Sequence, residues 1–171
     1  MQRDIAAMKR IGADGAVLGA LNPEGSVNVE LTQALVEASR PMSVTFHRAI
    51  DMCRDISAAL KDIVACGADR VLTSGGVASA CDGISVLQLL VKEAGERISL
   101  IAAGGVRPAN VRAIVQHTGV REVHAGLRTT VPGPMLFQNE TVSFGKARSE
   151  FERIIIREQD VRSLVELAEG L

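Results

Sequence analysis

Apolar positions along this chain switch repeatedly between helical spacing and the short continuous runs of a buried strand. Residues 2–11 put Ile5, Met8 and Ile11 on one face and stop at Gly12, which predicts a helix. The run Ala13 to Ala20 predicts a buried strand, and Asn22-Pro23-Glu24-Gly25 a turn. A helix follows over 29–39 with Leu31, Leu35 and Val36 inward, then a strand over 42–47. Asp55 has the form of an N-cap for a helix carrying Ile56, Ala59, Leu60, Ile63 and Val64, closed by Gly67. The strand 70–74 leads into Gly75-Gly76, and 83–95 predicts a helix with Ile84, Leu87, Leu90 and Val91 inward. A strand over 98–103 ends in Gly104-Gly105. Pro108 suits the first residue of a helix bearing Val111, Ile114 and Val115. Gly119 closes that helix, and 122–125 is the fifth strand. Residues 128–145 read as turn-rich and irregular. The last helix is 161–169, with Asp160 as N-cap and Val161, Leu164, Val165 and Ala168 inward.

The strands recur about every 27 residues with a helix between them, which is the βα unit of a parallel sheet. The chain also resembles itself. Ile11-Gly12-Ala13-Asp14 and Cys66-Gly67-Ala68-Asp69 both run from helix end to strand, and Thr118-Gly119-Val120-Arg121-Glu122-Val123-His124 is a weaker third copy. Copies two units apart fit alternating strands of a (β/α)8 barrel. Such a barrel has eight strands and roughly 250 residues. The expectation is therefore an α/β fold, a single partial TIM-type barrel domain over 1–171 with about five βα units, its first three strands absent.

Composition narrows the function. The formal net charge is −1, so no basic surplus points to nucleic acid or an anionic membrane surface. Aromatics are 2% of residues, with no Trp or Tyr, which disfavours a platform for stacking bases. Hydrophobic residues make up 47%, so the core is built from Val, Ile, Leu and Ala. Cys53, Cys66 and Cys81 are odd in number and form no CxxC pair, which fits a reducing compartment better than a disulfide framework. No leader pattern or membrane-length apolar run is visible, so the expected location is the cytoplasm.

The densest chemistry lies at the end of the second strand, where Val44-Thr45-Phe46 runs into His47, Arg48 and Asp51. In parallel α/β folds ligands bind at the carboxyl ends of strands. Two readings stay open. In one, Arg48 and Asp51 only pair with each other and His47 is a half-buried hydrogen-bonding group. In the other, the three are a catalytic set, His47 as acid/base with Arg48 or Asp51 tuning it. Thr73 and Ser74 end the next strand; their hydroxyls either orient a ligand or bond local backbone. His47, His124 and Asp51 offer a divalent-metal alternative without supporting spacing. Cys66 closes a helix as a small buried hydrophobe. Cys53 and Cys81 lie in loops at one end and are the candidate soft-metal pair.

Four blocks carry a family resemblance: Val44-Thr-Phe-His-Arg-Ala-Ile-Asp-Met52, Arg70-Val-Leu-Thr-Ser-Gly75, Ala102-Ala-Gly-Gly-Val-Arg107 and Glu122-Val-His124. In order and spacing they resemble the CutC family of copper homeostasis proteins, as do Met135, Phe137 and Asn139 in the tail. The resemblance implies a TIM barrel and a role in copper handling, with copper as Cu(I). It also implies that the family's first three strands have no counterpart here, including cysteines proposed to take up Cu(I). Counting strands as the family does, Gly104-Gly105 follow the seventh and Ala125-Gly126 the eighth. That is where TIM barrels place phosphate, with Arg107 or Arg128 adding donors. The other reading of these glycines is tight βα turns.

Two functions are carried forward. The first is CutC-like copper handling in the cytoplasm. The second is an enzyme acting on a small phosphorylated or carboxylated substrate, with His47 as acid/base. The expected partner is copper or a small anionic ligand, with pairing to a second copy allowed by open sheet edges and with no nucleic acid or membrane partner.

Overall fold

A computed structural model describes residues 1–142, 145 and 150–169. Five strands, β1 (Gly15–Leu18), β2 (Ser43–Phe46), β3 (Arg70–Thr73), β4 (Ser99–Ala103) and β5 (Glu122–His124), form one parallel sheet in sequence order. Helices α1 (Gln2–Arg10), α2 (Val29–Ser39), α3 (Ile56–Ala65), α4 (Ile84–Ala94) and α5 (Val111–Thr118) alternate with them. Among the described residues the sheet is open: β1 pairs only with β2, and β5 only with β4.

The helices start where the side chains cap them. Asn28 accepts from the Leu31 N–H and Asp55 from the Ala58 N–H, both at 2.9 Å, each satisfying an otherwise orphaned donor. Alternation along the strands then sorts the two sheet faces. Val44, Phe46, Val71, Leu100 and Ala102 are buried toward the helices, against Leu35, Leu60, Ile63, Leu87, Leu90 and Ile114. The other face carries Val17, Thr45, Arg70, Ser99, Ile101 and Glu122, paired in register. No described element covers it, and Val17 is 67% exposed. Near the strands' amino ends Arg70 reaches across this face, its Nε 2.9 Å from Glu122 and its Nη1 2.6 Å from the Ser43 hydroxyl. Ser99 donates to the same glutamate at 2.5 Å.

Several boundaries differ from the sequence expectation. Residues 128–145 are not irregular throughout: β6 (Arg128–Pro132) pairs antiparallel with β7 (Glu152–Ile156). Residues 143 and 144 of that stretch lie outside the described residues. The final helix α6 begins earlier, at Glu158, so Asp160 lies inside it and is not its cap. Its packed side is Leu164 and Leu167, whereas Val161 and Val165 are 40% and 45% exposed. Pro108 precedes α5. Residues 107–110 form a turn instead, because the Asn110 side chain accepts from Arg107 N–H and donates to the Gly105 carbonyl. Leu31, Met8 and Ile11 are exposed, since nothing described packs over those helix faces.

Candidate functional site

The carboxyl ends of β2, β3, β4 and β5 gather His47, Arg48, Thr73, Ser74, Gly104, Gly105, Ala125 and Gly126 at one end of the sheet. After β2 the chain folds at once into a 3₁₀ turn, Arg48–Met52, capped by His47, whose Nδ1 accepts from the Ala49 N–H at 3.2 Å. An accepting Nδ1 leaves the neutral ring's proton on Nε2. Among the described residues Nε2 has no partner. The imidazole lies over Gly19 at the end of β1: a Cβ there would sit 2.8 Å from His47 Cε1 and 3.1 Å from Phe46. Only a residue without a side chain leaves room for this ring.

The 3₁₀ turn brings Asp51 under the end of β3. Its Oδ1 accepts from the Thr73 hydroxyl at 2.6 Å, from Gly76 N–H at 3.0 Å and from Ser74 N–H at 3.1 Å. Its Oδ2 accepts from Arg48 Nε at 2.6 Å. The carboxylate side chain is 7% exposed. Burial alone would push its carboxyl up; the donors from Thr73, Arg48, Gly76 and Ser74 outweigh burial and hold it below the usual carboxylate range. A carboxylate so fully engaged stays ionised and positions its neighbours; it is poorly suited to carry protons.

Arg48 is therefore fixed at two of its nitrogens. Nε is on Asp51, and Nη2 donates to the Ser74 hydroxyl at 2.5 Å and to the Val77 carbonyl at 3.2 Å. The Ser74 hydroxyl, with a single proton, faces two acceptors, the Val77 carbonyl at 2.5 Å and Asp51 Oδ2 at 3.0 Å. The third nitrogen, Nη1, meets no acceptor among the described residues. It lies against Gly104, where a Cβ would be 3.1 Å from it, and Gly104 has φ 95°. Gly105 follows with φ 68°.

The remaining candidates sit apart from this cluster. Arg107 Nη2 donates to the Arg128 carbonyl at 3.2 Å, so it serves the start of β6. At Gly126 a Cβ would meet nothing within 4 Å, so close approach does not require glycine there. The left-handed residue of that loop is its neighbour, Leu127, at φ 46°. Cys53 Sγ faces the Ala49 carbonyl at 3.8 Å, and burial, with Asp51 and Asp62 nearby, pushes its thiol up. Cys66 is buried, its Sγ 3.6 Å from the Val29 carbonyl, and burial together with Asp62 raises it too. Cys81 packs against the core from the loop after β3. Among the described residues no three His, Cys, Asp or Glu side chains are grouped to hold a metal ion. Sequence reasoning missed Gly19 and Gly76. Gly19 precedes no recognisable motif, and Gly76 contributes only a backbone N–H.

A profile of the CutC family matches residues 1–129. The chain belongs to the CutC family. It is 42% identical over 168 residues to the family protein CutC of Bacteroides fragilis strain YCH46, covering 97% of this chain and 67% of that one. Against the family protein CutC of Xanthomonas campestris pv. campestris strain 8004 it is 48% identical over 131 residues, 77% of this chain and 55% of the relative. The crystal structure of the putative copper homeostasis protein CutC from Streptococcus agalactiae superposes with a TM-score of 0.68 at 29% identity, over 72% of this chain and 60% of that one. The chain thus spans between about half and two thirds of these CutC proteins. The fold is TIM-barrel-like, an alternating β/α arrangement whose five-stranded sheet does not close.

Proposed function

We propose that this CutC chain serves copper homeostasis in the cytoplasm, with copper as cargo. The observation that carries this reading is its 42% identity across 97% of its length to a CutC protein, joined to the copper homeostasis description of the Streptococcus agalactiae structure. No helix among the described residues is long and apolar enough to cross a membrane. The soft ligands this stretch offers are Cys53 and Cys81, with the Met52 thioether next to Cys53 in sequence. They fit Cu(I) poorly: the Cys53 thiol is raised, whereas the metal binds the thiolate. This set, with no three His, Cys, Asp or Glu side chains grouped among the described residues, is expected to bind Cu(I) weakly. The test is a competition titration against a Cu(I) chelator under reducing, anaerobic conditions. The expected result is weak binding that Cys53→Ser with Cys81→Ser abolishes. Tight one-to-one binding that survives both substitutions overturns these ligands.

A second reading is favoured by the polar cluster at the strand ends: an enzyme for a small phosphorylated or carboxylated substrate, with His47 as acid/base. His47, Arg48, Ser74 and Gly104 come from three successive strand ends of the kind that TIM-type enzymes use. Thermal shifts across a panel of phosphorylated and carboxylated metabolites test it; no shift with any of them removes it.

A further inference from the structure

The second reading leaves open where the anionic end of a ligand would sit, and the side chains bear on that directly. Arg48 is 39% exposed, and its charge is only partly spent. Two of its nitrogens are held by Asp51, Ser74 and the Val77 carbonyl, so the guanidinium plane is fixed before any ligand arrives. Its Nη1 is left with both hydrogens unused among the described residues. Beside it, the backbone N–H groups of Gly104 and Gly105 also meet no acceptor among the described residues. The carbonyls of those glycines are, by contrast, taken: Gly104 accepts from Ala80 N–H and Gly105 from Asn110, both at 2.9 Å. The loop is thus tied down through its acceptors while its donors stay available. Two successive backbone N–H groups without an acceptor among the described residues, next to a fixed guanidinium nitrogen, supply the donors an oxyanion takes.

We propose that Arg48 Nη1 and the Gly104-Gly105 backbone form the binding site for a phosphate or carboxylate group of a small ligand, with Asp51 as the residue that positions Arg48. This deepens the small-anion reading and rests on it. It also moves the charged anchor away from Arg107, which is engaged at the Arg128 carbonyl, and onto a side chain of the β2 end. Bridging from the β2 end to the β4 end explains why residue 104 is glycine: any Cβ would meet Arg48 Nη1, the Ala78 carbonyl and Ser74 within 3.2 Å. His47 directly precedes Arg48 in the chain, and its Nε2 is unspent among the described residues.

The experiment is a titration of the whole chain with inorganic phosphate and, separately, acetate, followed by amide NMR shifts and thermal denaturation. The expected result is that Gly104 and Gly105 amides move with ligand, and that Arg48→Met weakens binding tenfold or more while Arg107→Met leaves it unchanged. Phosphate protecting better than acetate points to a phosphorylated ligand, and the reverse to a carboxylated one; either supports the site. Arg48→Lys, which keeps the charge and loses the fork, guards against a folding artefact and should bind at intermediate strength. Asp51→Asn should weaken binding only as far as it frees Arg48, and Arg48→Met should then add little to it. If anions bind and Gly104, Gly105 and Arg48→Met are indifferent, the site is overturned and the small-anion reading survives elsewhere. If neither anion nor any metabolite binds, both are overturned.

Discussion

Arg48 Nε and Asp51 Oδ2 meet at 2.6 Å across one turn of 3₁₀ helix, with the arginine side chain 39% exposed and the carboxylate 7%. The asymmetry matters. The pair is a buried acceptor hub that steers a half-exposed cation, and each partner responds differently to substitution. Removing the carboxylate with Asp51→Ala strands the Thr73 hydroxyl and the Ser74 and Gly76 N–H groups. The expected cost is about 2–4 kcal/mol, read as a fall in the urea midpoint. Arg48→Met leaves the hub its donors from Thr73, Ser74 and Gly76, so its cost should be well below that of Asp51→Ala. Equal losses would show that the ion pair, not the hub, holds this end together.

The same carboxylate sets a pH dependence. Its pKa is held below that of an unfolded Asp, about 3.9. A depressed folded pKa contributes stability that is complete above the unfolded value and is lost as pH falls through the folded one. Asp69, lowered by Arg40 and the Val44 N–H against the opposing effect of burial, acts in the same direction from a more exposed position. Acid unfolding should therefore steepen below about pH 4. Asp51→Asn should flatten that limb of a stability-against-pH curve. An unchanged limb would assign the acid sensitivity to other carboxylates.

Gly19→Ala tests the packing of His47. The new Cβ would fall 2.8 Å from Cε1 and 2.9 Å from Nδ1. The ring must swing away and lose its bond to the Ala49 N–H, at a cost of about 1–3 kcal/mol. His47 ring signals in NMR should shift, and any anion-dependent effect of His47→Gln should vanish in this background. A wild-type histidine spectrum in Gly19→Ala would show that the ring has room to spare.

The strand and helix order could be read from the chain because each βα unit is local: the periods alternate within single windows, and Asn28 and Asp55 announce their helices. The cluster at the β2 end was visible for the same reason, since His47, Arg48 and Asp51 are neighbours in sequence. Its meaning was not. Asp51 takes its decisive partners from Thr73, Ser74 and Gly76, and Arg48 lies on Gly104, all brought in by parallel pairing that no local pattern encodes. The β6–β7 hairpin escaped for a related reason. Arg128–Pro132 ends at Pro132-Gly133-Pro134, a turn signature, and the Ile154-Ile155-Ile156 strand that pairs with it lies in a distant stretch. Glycines such as Gly19 are silent in sequence because what they do is make room.

Thiol reactivity follows from burial. Cys53 and Cys66 have raised thiols, so each carries little thiolate near neutral pH. Both should react with iodoacetamide at pH 7.5 more slowly than an unstructured cysteine peptide, with Cys66, buried, the slower of the two. Mass spectrometry of timed samples reads the order. Fast labelling of Cys53 would remove the argument for weak Cu(I) binding.

The open sheet carries the last prediction. β1 and β5 each leave one edge unpaired within the sheet, and the face bearing Val17, Thr45, Ile101 and the Arg70–Glu122 pair is not covered by any described element. Unpaired strand edges recruit other strands. Burying an exposed apolar face contributes roughly 25 cal/mol per Å². Opposing this, Arg70 and Glu122 are 39% and 37% exposed, so their pair is screened and worth at most about 1 kcal/mol where it stands. Covering it would demand the partner leave it hydrogen-bonded, which Ser43 and Ser99 already do in part. Association should therefore win: the chain should form concentration-dependent oligomers, read by light scattering. Val17→Lys, which puts a charge on the edge strand's exposed face, should shift it toward monomer with little effect on the helical circular dichroism signal. A monodisperse monomer with one sharp cooperative melt, unchanged by Val17→Lys, would mean that this face is stable in water.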